Sequence, residues 1–299
     1  MELDLFKSFL AVAEARSFSR AARAVHSTQP TLSRQVARLE AELGTKLFER
    51  YGRHVECTVA GRLLQPLAQA IITRTEDAIS LMREQAGAGP SAVRFGAVPS
   101  VIARILTPVL VTFQGAYPNV NVDIAEADDV QLEEAVVRGE LDFAVVTLWG
   151  SIRASTQYLL TEEILLVVPR SHRLAKLRTV PFGALAGESI LLPRASLNIS
   201  NVYSDALRRA GQEIKFSYRA NYPELTKALV RRGFGLAPMP SMLCTPDDLG
   251  DLRAIPFEEP LYRDLHLIYP RDRPLTAAAR ALITHIRASV PRRGRASHI

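Results

Sequence analysis

A chain of 299 residues with 47 % apolar and 23 % charged side chains is long enough for two or three domains with conventional buried cores, which excludes a fibre, a disordered tail and a disulfide-stapled scaffold. Cys57 and Cys244 lie far apart without a Cys/His grouping of metal-ligand spacing, so two plain thiols in a reducing, cytoplasmic setting are expected, with no metal site. The net charge of +6 is unevenly placed: residues 16–53 hold eight Lys/Arg against three Asp/Glu, a first pointer to a polyanion partner.

Acidic Glu2 and Asp4 stand where a secretory signal would be basic. The apolar run 101-VIARILTPVLVTF-113 is interrupted by Arg104 and Pro108, and no uninterrupted apolar span approaches the roughly 20 residues of a membrane helix. A soluble protein without membrane contact is expected.

Residues 4–14 repeat Leu5, Phe6, Phe9, Leu10 and Ala13 at helical spacing. A shorter helix over residues 19–25 carries small Ala21, Ala22 and Ala24, with Ser19 placed to cap it. After the break 26-HSTQ-29 comes a third helix with Leu32, Val36, Leu39 and Leu43 inward, Ser27 or Thr28 as its cap and Gly44 as its stop. Pro30 is tolerated because first-turn amides have no intrahelical acceptor.

The leading and outward surface of that third helix presents Gln29, Thr31, Ser33, Arg34, Gln35 and Arg38. Gln pairs with adenine and Arg with guanine in the major groove, while Ser and Thr bind phosphates or base edges. A helix-turn-helix lays its second helix against the bases in this way; the competing reading is a helical hairpin with a solvated polar face. The segment 47-LFERYGRHVECT-58 reads as two short extended arms around Gly52, a wing carrying Arg50, Arg53 and His54 outward.

From Thr58, a cap, a long helix runs to about Gln85 with Val59, Leu63, Leu67, Ile71, Ala78 and Met82 on one stripe and Leu64, Ile79 and Leu81 widening it. Such a helix, about 42 Å long, has more apolar surface than a small winged domain covers, so self-association through it is expected. Two recognition helices related by a two-fold axis then read an inverted repeat. The segment 87-GAGP-90 marks a hinge.

Beyond it, strands and helices alternate: strand 93–98, a helix capped by Ser100 to about 113, strand 120–126, helix 129–139, strand 142–147 and an extended 164–169. A second set follows, with strand 189–193, helix 201–210, strand 214–218, helix 224–232, strand 235–240, strand 264–270 and helix 277–289. That order predicts βαβ units and two α/β lobes with crossovers near residues 162 and 266. Strand ends and helix starts converge in the cleft between such lobes, which makes Ser100, Trp149, Arg194, Ser196, Asn221 and Tyr222 candidate ligand contacts. On this reading the ligand is a small organic anion, with Arg194 or Arg153 supplying charge and Trp149 a flat apolar wall. The duller readings stay beside it: Ser100 and Ser196 as caps, Trp149 sealing a core edge, Arg194 as surface charge.

No G-x-G-x-x-G after a strand, Walker loop, H-E-x-x-H or G-x-S-x-G is present, and the six His show no ligand-like pairing, so no catalytic residues and no enzyme are expected. Asp128 and Asp129 are adjacent and read equally well as helix caps.

The segment 18-FSRAARAVHSTQPTLSRQVARLEAELGTKLFER-50 resembles the helix-turn-helix signature of the LysR-type transcriptional regulators nearly end to end, and 58-TVAGRLL-64 resembles the start of their linker helix. The stretches 138-RGELDFAVV-146 and 231-RRGFGLAPMP-240 extend the likeness through the second part. The resemblance implies a winged helix-turn-helix at 1–58, a linker and dimerisation helix with hinge at 59–90, and a two-lobed α/β effector domain like a periplasmic binding protein at 91–299. Its lobes would be 91–161 plus 267–299, and 162–266.

The resemblance also implies a cytoplasmic bacterial regulator that binds promoter DNA as a dimer or a dimer of dimers, alters RNA polymerase access, needs no cofactor and receives a small-molecule effector. DNA contacts would fall on Gln29, Pro30, Thr31, Ser33 and Arg34, with Arg50 and Arg53 near the wing. Effector contacts would fall on Ser100, Trp149, Ser196 and Tyr222. Thr28 departs from the family pattern before Gln-Pro, and Ser196 stands where peroxide-sensing members place a reactive cysteine, which favours a ligand sensor over a thiol sensor. An architectural DNA binder without a small-molecule input is the alternative, and 291-PRRGRASHI-299 reads as a solvated tail.

Overall fold

The computed structural model describes residues 2–51, 54–85, 92–211, 215–219 and 221–290. They fall into two compact units, one centred on residues 1–89 and the other on residues 90–299. Gly52, Arg53, the 87-GAGP-90 hinge and the Arg-rich tail lie outside the described residues.

The first unit opens with α1 (Leu3–Ala15), α2 (Phe18–Ala24) and α3 (Gln29–Leu43). Arg16, in the left-handed conformation, ends α1. The cap of α2 is Ser17 rather than the expected Ser19, because Ser17 is the residue with extended backbone whose side chain accepts from the Arg20 N–H. Thr28 caps α3 by accepting from the Thr31 N–H, and Gly44, at φ 68°, stops it. Leu5, Phe6, Phe9 and Val12 from α1 meet Ala21 and Ala22 from α2 and Leu32, Val36 and Leu39 from α3 in one core.

A hairpin of β1 (Phe48–Tyr51) and β2 (His54–Cys57) closes that core with Leu47, Phe48 and Val55. Its entry is fixed by the buried Glu40, whose Oε1 accepts from the Leu47 N–H at 2.9 Å and whose Oε2 meets Lys46 Nζ at 2.7 Å. A carboxylate that satisfies a backbone donor at the turn ties α3 to the hairpin.

Helix α4 (Val59–Gln85) starts beneath the hairpin, with the Thr58 hydroxyl accepting from the Gly61 N–H at 3.0 Å. Two apolar rows run side by side along it. Ala60, Leu64, Ala68 and Ile72 pack into the winged core, so Leu64 belongs to the domain side. Val59, Leu63 and Leu67 are each 60 % or more exposed, and Ile71, Ile79 and Met82 are exposed with them. Leu81 has a place in the helix, but its side chain is not among those described.

In the second unit a six-stranded sheet runs in the order β4-β3-β5-β10-β6-β9. Here β3 is Ala92–Ala97, β4 Asn121–Glu126, β5 Phe143–Thr147, β6 Ser155–Pro169, β9 Ala237–Pro240 and β10 Leu252–Tyr269. The β4-β3-β5 end is parallel, and β10, β6 and β9 are joined antiparallel. A parallel pair, β7 (Ser189–Leu192) and β8 (Lys215–Arg219), is bridged to the stretch before β9 through Ile190 and Leu236. Strands β6 and β10 are far longer than the expected 164–169 and 264–270, because they pair with each other almost throughout. The expected crossover residues 162 and 266 therefore lie inside continuous strands, while the register of β10 slips between Pro256 and Leu261 and again between Leu265 and His266.

The helices are α5 (Pro99–Val101), which continues through one π-helical turn (Ile102–Leu106) into α6 (Thr107–Ala116), α7 (Asp129–Arg138), α8 (Asn198–Arg209), α9 (Pro223–Arg231), α10 (Pro246–Leu249) and α11 (Ala277–Ser289). The Pro99–Ala116 run is long and apolar enough by composition to cross a membrane, yet its Val101, Leu106, Val109 and Phe113 are buried in the domain core with Phe95 and Phe143. Helix α8 begins at Asn198, three residues before its expected start, and Leu197 rather than Ser196 is its N-cap residue.

Gly61 has no room for a side chain, since a Cβ there would lie 2.2 Å from the Leu47 carbonyl oxygen. Gly61→Ala must push α4 away from the hairpin, with an expected loss of about 1–3 kcal/mol in urea unfolding. A variant as stable as the wild type would show that this approach is not a constraint.

Candidate nucleic-acid interface and ligand cleft

At the start of α3, Gln29, Pro30 and Arg34 are exposed, and Thr31 and Ser33 are half-buried beside them. The first turn is held by Thr28, whose hydroxyl lies 2.8 Å from that of Thr31. Arg34 is drawn along its own helix, its Nε donating to the Pro30 carbonyl at 3.4 Å. The sequence pattern also placed Gln35 and Arg38 on this face, and both are engaged. Gln35 accepts from the Ser8 hydroxyl of α1 at 2.7 Å, and Arg38 is paired with Glu2 at 2.9 Å and Glu42 at 3.1 Å, which raises its pKa. The donors left facing outward are gathered at the N-terminal end of the helix, the end that a helix-turn-helix presents to base edges. Arg50 sits in β1, opposite Val55, without a described side chain, and Arg53 lies outside the described residues.

In the second unit a cavity of about 550 Å³, part of it open to solvent, lies where α5, α8 and α9 begin and β5 and β9 end. Ser100 and Asn221 line it; Trp149, Arg194, Ser196 and Tyr222 are not among the lining residues. Trp149 and Tyr222 are 42 % and 63 % exposed, while Arg194 reaches the site through its backbone, whose N–H donates to Asn221 Oδ1 at 3.0 Å. Ser100 is not a helix cap. Val98 holds the N-cap position, and the Ser100 hydroxyl accepts from Arg263 Nη2 at 3.1 Å.

Arg263 is the cation of this cavity, a role the sequence reading gave to Arg194 or Arg153; Arg153 is an exposed side chain paired with Glu133. Arg263 and Glu162 face each other across β10 and β6. The guanidinium donates to Glu162 Oε2 from Nε at 2.9 Å and from Nη2 at 2.8 Å. Glu162 Oε1 in turn accepts from the Met242 N–H at 2.6 Å. Both side chains are nearly sealed from solvent, so each charge is stable there because the other is present.

The second charged lining residue is Asp129, at the first position of α7 and 3 % exposed. Its Oδ1 accepts from the Thr147 N–H at the end of β5 and its Oδ2 from the Asn198 N–H at the start of α8, both at 2.7 Å. Asn198 closes the link by donating from Nδ2 to the Thr147 carbonyl at 2.8 Å. Burial pushes the Asp129 carboxyl up to about 6, against the opposing pull of these two N–H groups and of Arg263, with Asp128 adding to the rise. The sequence offered Asp129 only as a helix cap, and nothing local marked Arg263 or Glu162.

Residues 3–62 match the bacterial regulatory helix-turn-helix protein, lysR family, and residues 87–291 match the LysR substrate binding domain. The chain belongs to the LysR family of transcriptional regulators. It is 31 % identical to the HTH-type transcriptional regulator DgdR of Burkholderia cepacia over 97 % of this chain and 95 % of that protein. In fold it is similar to a full-length OxyR variant from Pseudomonas aeruginosa, with a TM-score of 0.74 and 23 % identity over 97 % of this chain and 95 % of that one. A structure of full-length CbnR complexed with its target DNA aligns with a TM-score of 0.72 and 22 % identity over 97 % of this chain and 100 % of that one. Family membership makes this chain a DNA-binding regulator of transcription with an effector-binding domain. Among the described residues no group of His, Cys, Asp or Glu is arranged to hold a metal ion.

The folded chain holds the Asp129 proton at a pH where the unfolded chain has released it. Its contribution to stability is full below about pH 4, declines as pH rises to about 6 and is level above that. Denaturant titrations of the wild type and Asp129→Asn should therefore diverge by on the order of 2–3 kcal/mol across that window. Parallel profiles would show that the buried titrating group lies elsewhere.

Proposed function

We propose that this chain binds promoter DNA through the exposed start of α3, carried in pairs by association along α4, and that a small organic molecule in the Ser100 and Asn221 cavity changes how the assembly sits on DNA. The observation that carries the reading is the division of α4 into one apolar row spent on the winged core and a second left open from Val59 to Met82. Two copies joined along the open row present two copies of Gln29, Pro30, Thr31, Ser33 and Arg34, which suits an inverted repeat. CbnR, similar in fold, has been captured with its target DNA.

For the effector, an anion held by Arg194 or Arg153 has lost its support, since neither lines the cavity and Arg263 is already matched by Glu162. The ligand must bind one arrangement of the assembly more tightly than the other, because equal affinity shifts nothing. With that preference it alters the spacing of the paired α3 helices, the path of the DNA and so polymerase access. An architectural binder would carry a filled site at this place, and a solvent-open, largely apolar pocket with Ser100 and Asn221 in its wall supports the ligand-responsive reading.

The proposed domain boundaries stay at 58 and 90, the first supported by the start of α4 at Val59, and Arg50 and Arg53 remain the wing's proposed phosphate contacts. The test is a fluorescence titration of the full-length protein on a duplex that it selects from genomic fragments. Arg34→Ala should weaken binding by about ten- to a hundredfold at fixed salt. Unchanged affinity with an unchanged salt slope would remove this face of α3 from the interface.

A further inference from the structure

The charges around the cavity do not cancel. Arg263 is neutralised by Glu162 directly behind it, which leaves the ionised Asp129 carboxylate as an uncompensated buried charge in the wall. The Asn198 N–H at the start of α8 and the Thr147 N–H at the end of β5 are the kind of donors that would hold a ligand's carboxylate. Both are already taken by Asp129, one on each oxygen at 2.7 Å, so the chain has placed its own anion where a ligand's anion would sit. Each of those oxygens keeps a further lone pair able to accept a hydrogen bond. The rest of the lining is largely apolar, including Val98, Leu191, Leu197, Ile199, Met239 and Leu243.

We propose that the effector is a small organic cation, a protonated amine on an apolar body, whose ammonium group donates to Asp129 while the body packs against that lining. The proposal rests on reading the cavity as the effector site. An ammonium ion restores neutrality at Asp129 and adds a charge-assisted hydrogen bond in a water-poor wall, whereas a carboxylate would meet Asp129 as a like charge with its best donors occupied. The specificity determinant is thus Asp129, through its charge; Arg263 and Ser100 form the fixed polar floor.

Calorimetry on the full-length protein with butylamine, butanol and butyrate as probes separates the outcomes. At about pH 8 butylamine should bind in a saturable way and about tenfold or more tightly than the other two. In Asp129→Asn that preference should disappear. The wild type gives an independent reading if this variant folds poorly. Butylamine stays protonated as pH falls, so loss of affinity below about pH 6, approaching tenfold per pH unit, reports protonation of Asp129; the other charged groups facing the site are the Arg263 and Glu162 pair and the neighbouring acid Asp128. Butyrate or butanol binding as tightly as butylamine, or butylamine affinity that is flat with pH, overturns the cation while leaving the cavity as the effector site. Binding that persists in a cavity-filling Thr226→Trp chain, or no binding by any probe, contradicts the effector-site reading itself.

Discussion

One helix with two apolar rows governs the DNA-binding half of this protein. Ala60, Leu64, Ala68 and Ile72 are consumed in the winged core, and the adjacent row of Val59, Leu63, Leu67 and Ile71 is left in water. Burying one such side chain is worth about 1.5–3 kcal/mol, so an open row of this length is a strong drive toward a second surface of the same kind. The first row fixes the angle between α4 and the recognition helix, and Gly61 and Glu40 hold that angle at the base of the hairpin. Pairing along the second row would then set the separation of two DNA-reading faces without any further contact.

The effector half is organised by a different constraint, the burial of charge. Long pairing between β6 and β10 brings Arg263 opposite Glu162, and the helix starts gathered at the strand ends deliver Asp129 to the same cavity. A matched pair and a single carboxylate make a wall whose charge can be completed by a proton or by a cationic ligand. Because Asp129 bonds to both β5 and α8, an occupant that engages it acts where those two elements are joined. Coupling of occupancy to the arrangement of the domain requires no more than a preference for one geometry of that junction.

Much of this was legible in the sequence, for identifiable reasons. The α1, α2 and α3 helices and the Gly44 stop followed from apolar spacing and end chemistry, which are local properties. Helix α11 was placed to the residue at 277–289, and the structure adds that the Thr276 side chain caps it. Strand extents failed where pairing decides them: β10 runs 18 residues because β6 lies alongside Leu252–Pro256 and Leu261–Tyr269 and Val180 bridges to Phe257 in between, a fact that its own composition does not carry. The same limit applied to the cavity. Ser100 and Asn221 stood out as residues at element ends, but the Arg263 and Glu162 pair joins positions 101 residues apart, and Trp149 and Tyr222, conspicuous by type, lie outside the lining. Gln35 and Arg38 were assigned to the DNA face by periodicity, which cannot register Ser8, Glu2 and Glu42 as partners.

Sedimentation velocity of the full-length protein beside a Leu63→Asp, Leu67→Asp variant measures the central claim, that the open row of α4 joins two copies. The account predicts a dimer or larger species for the wild type, and for the variant a species of lower mass with unchanged far-ultraviolet circular dichroism, since both leucines are exposed within one chain. A wild type that sediments as a monomer at every accessible concentration, or a variant that keeps the wild-type mass, would contradict it.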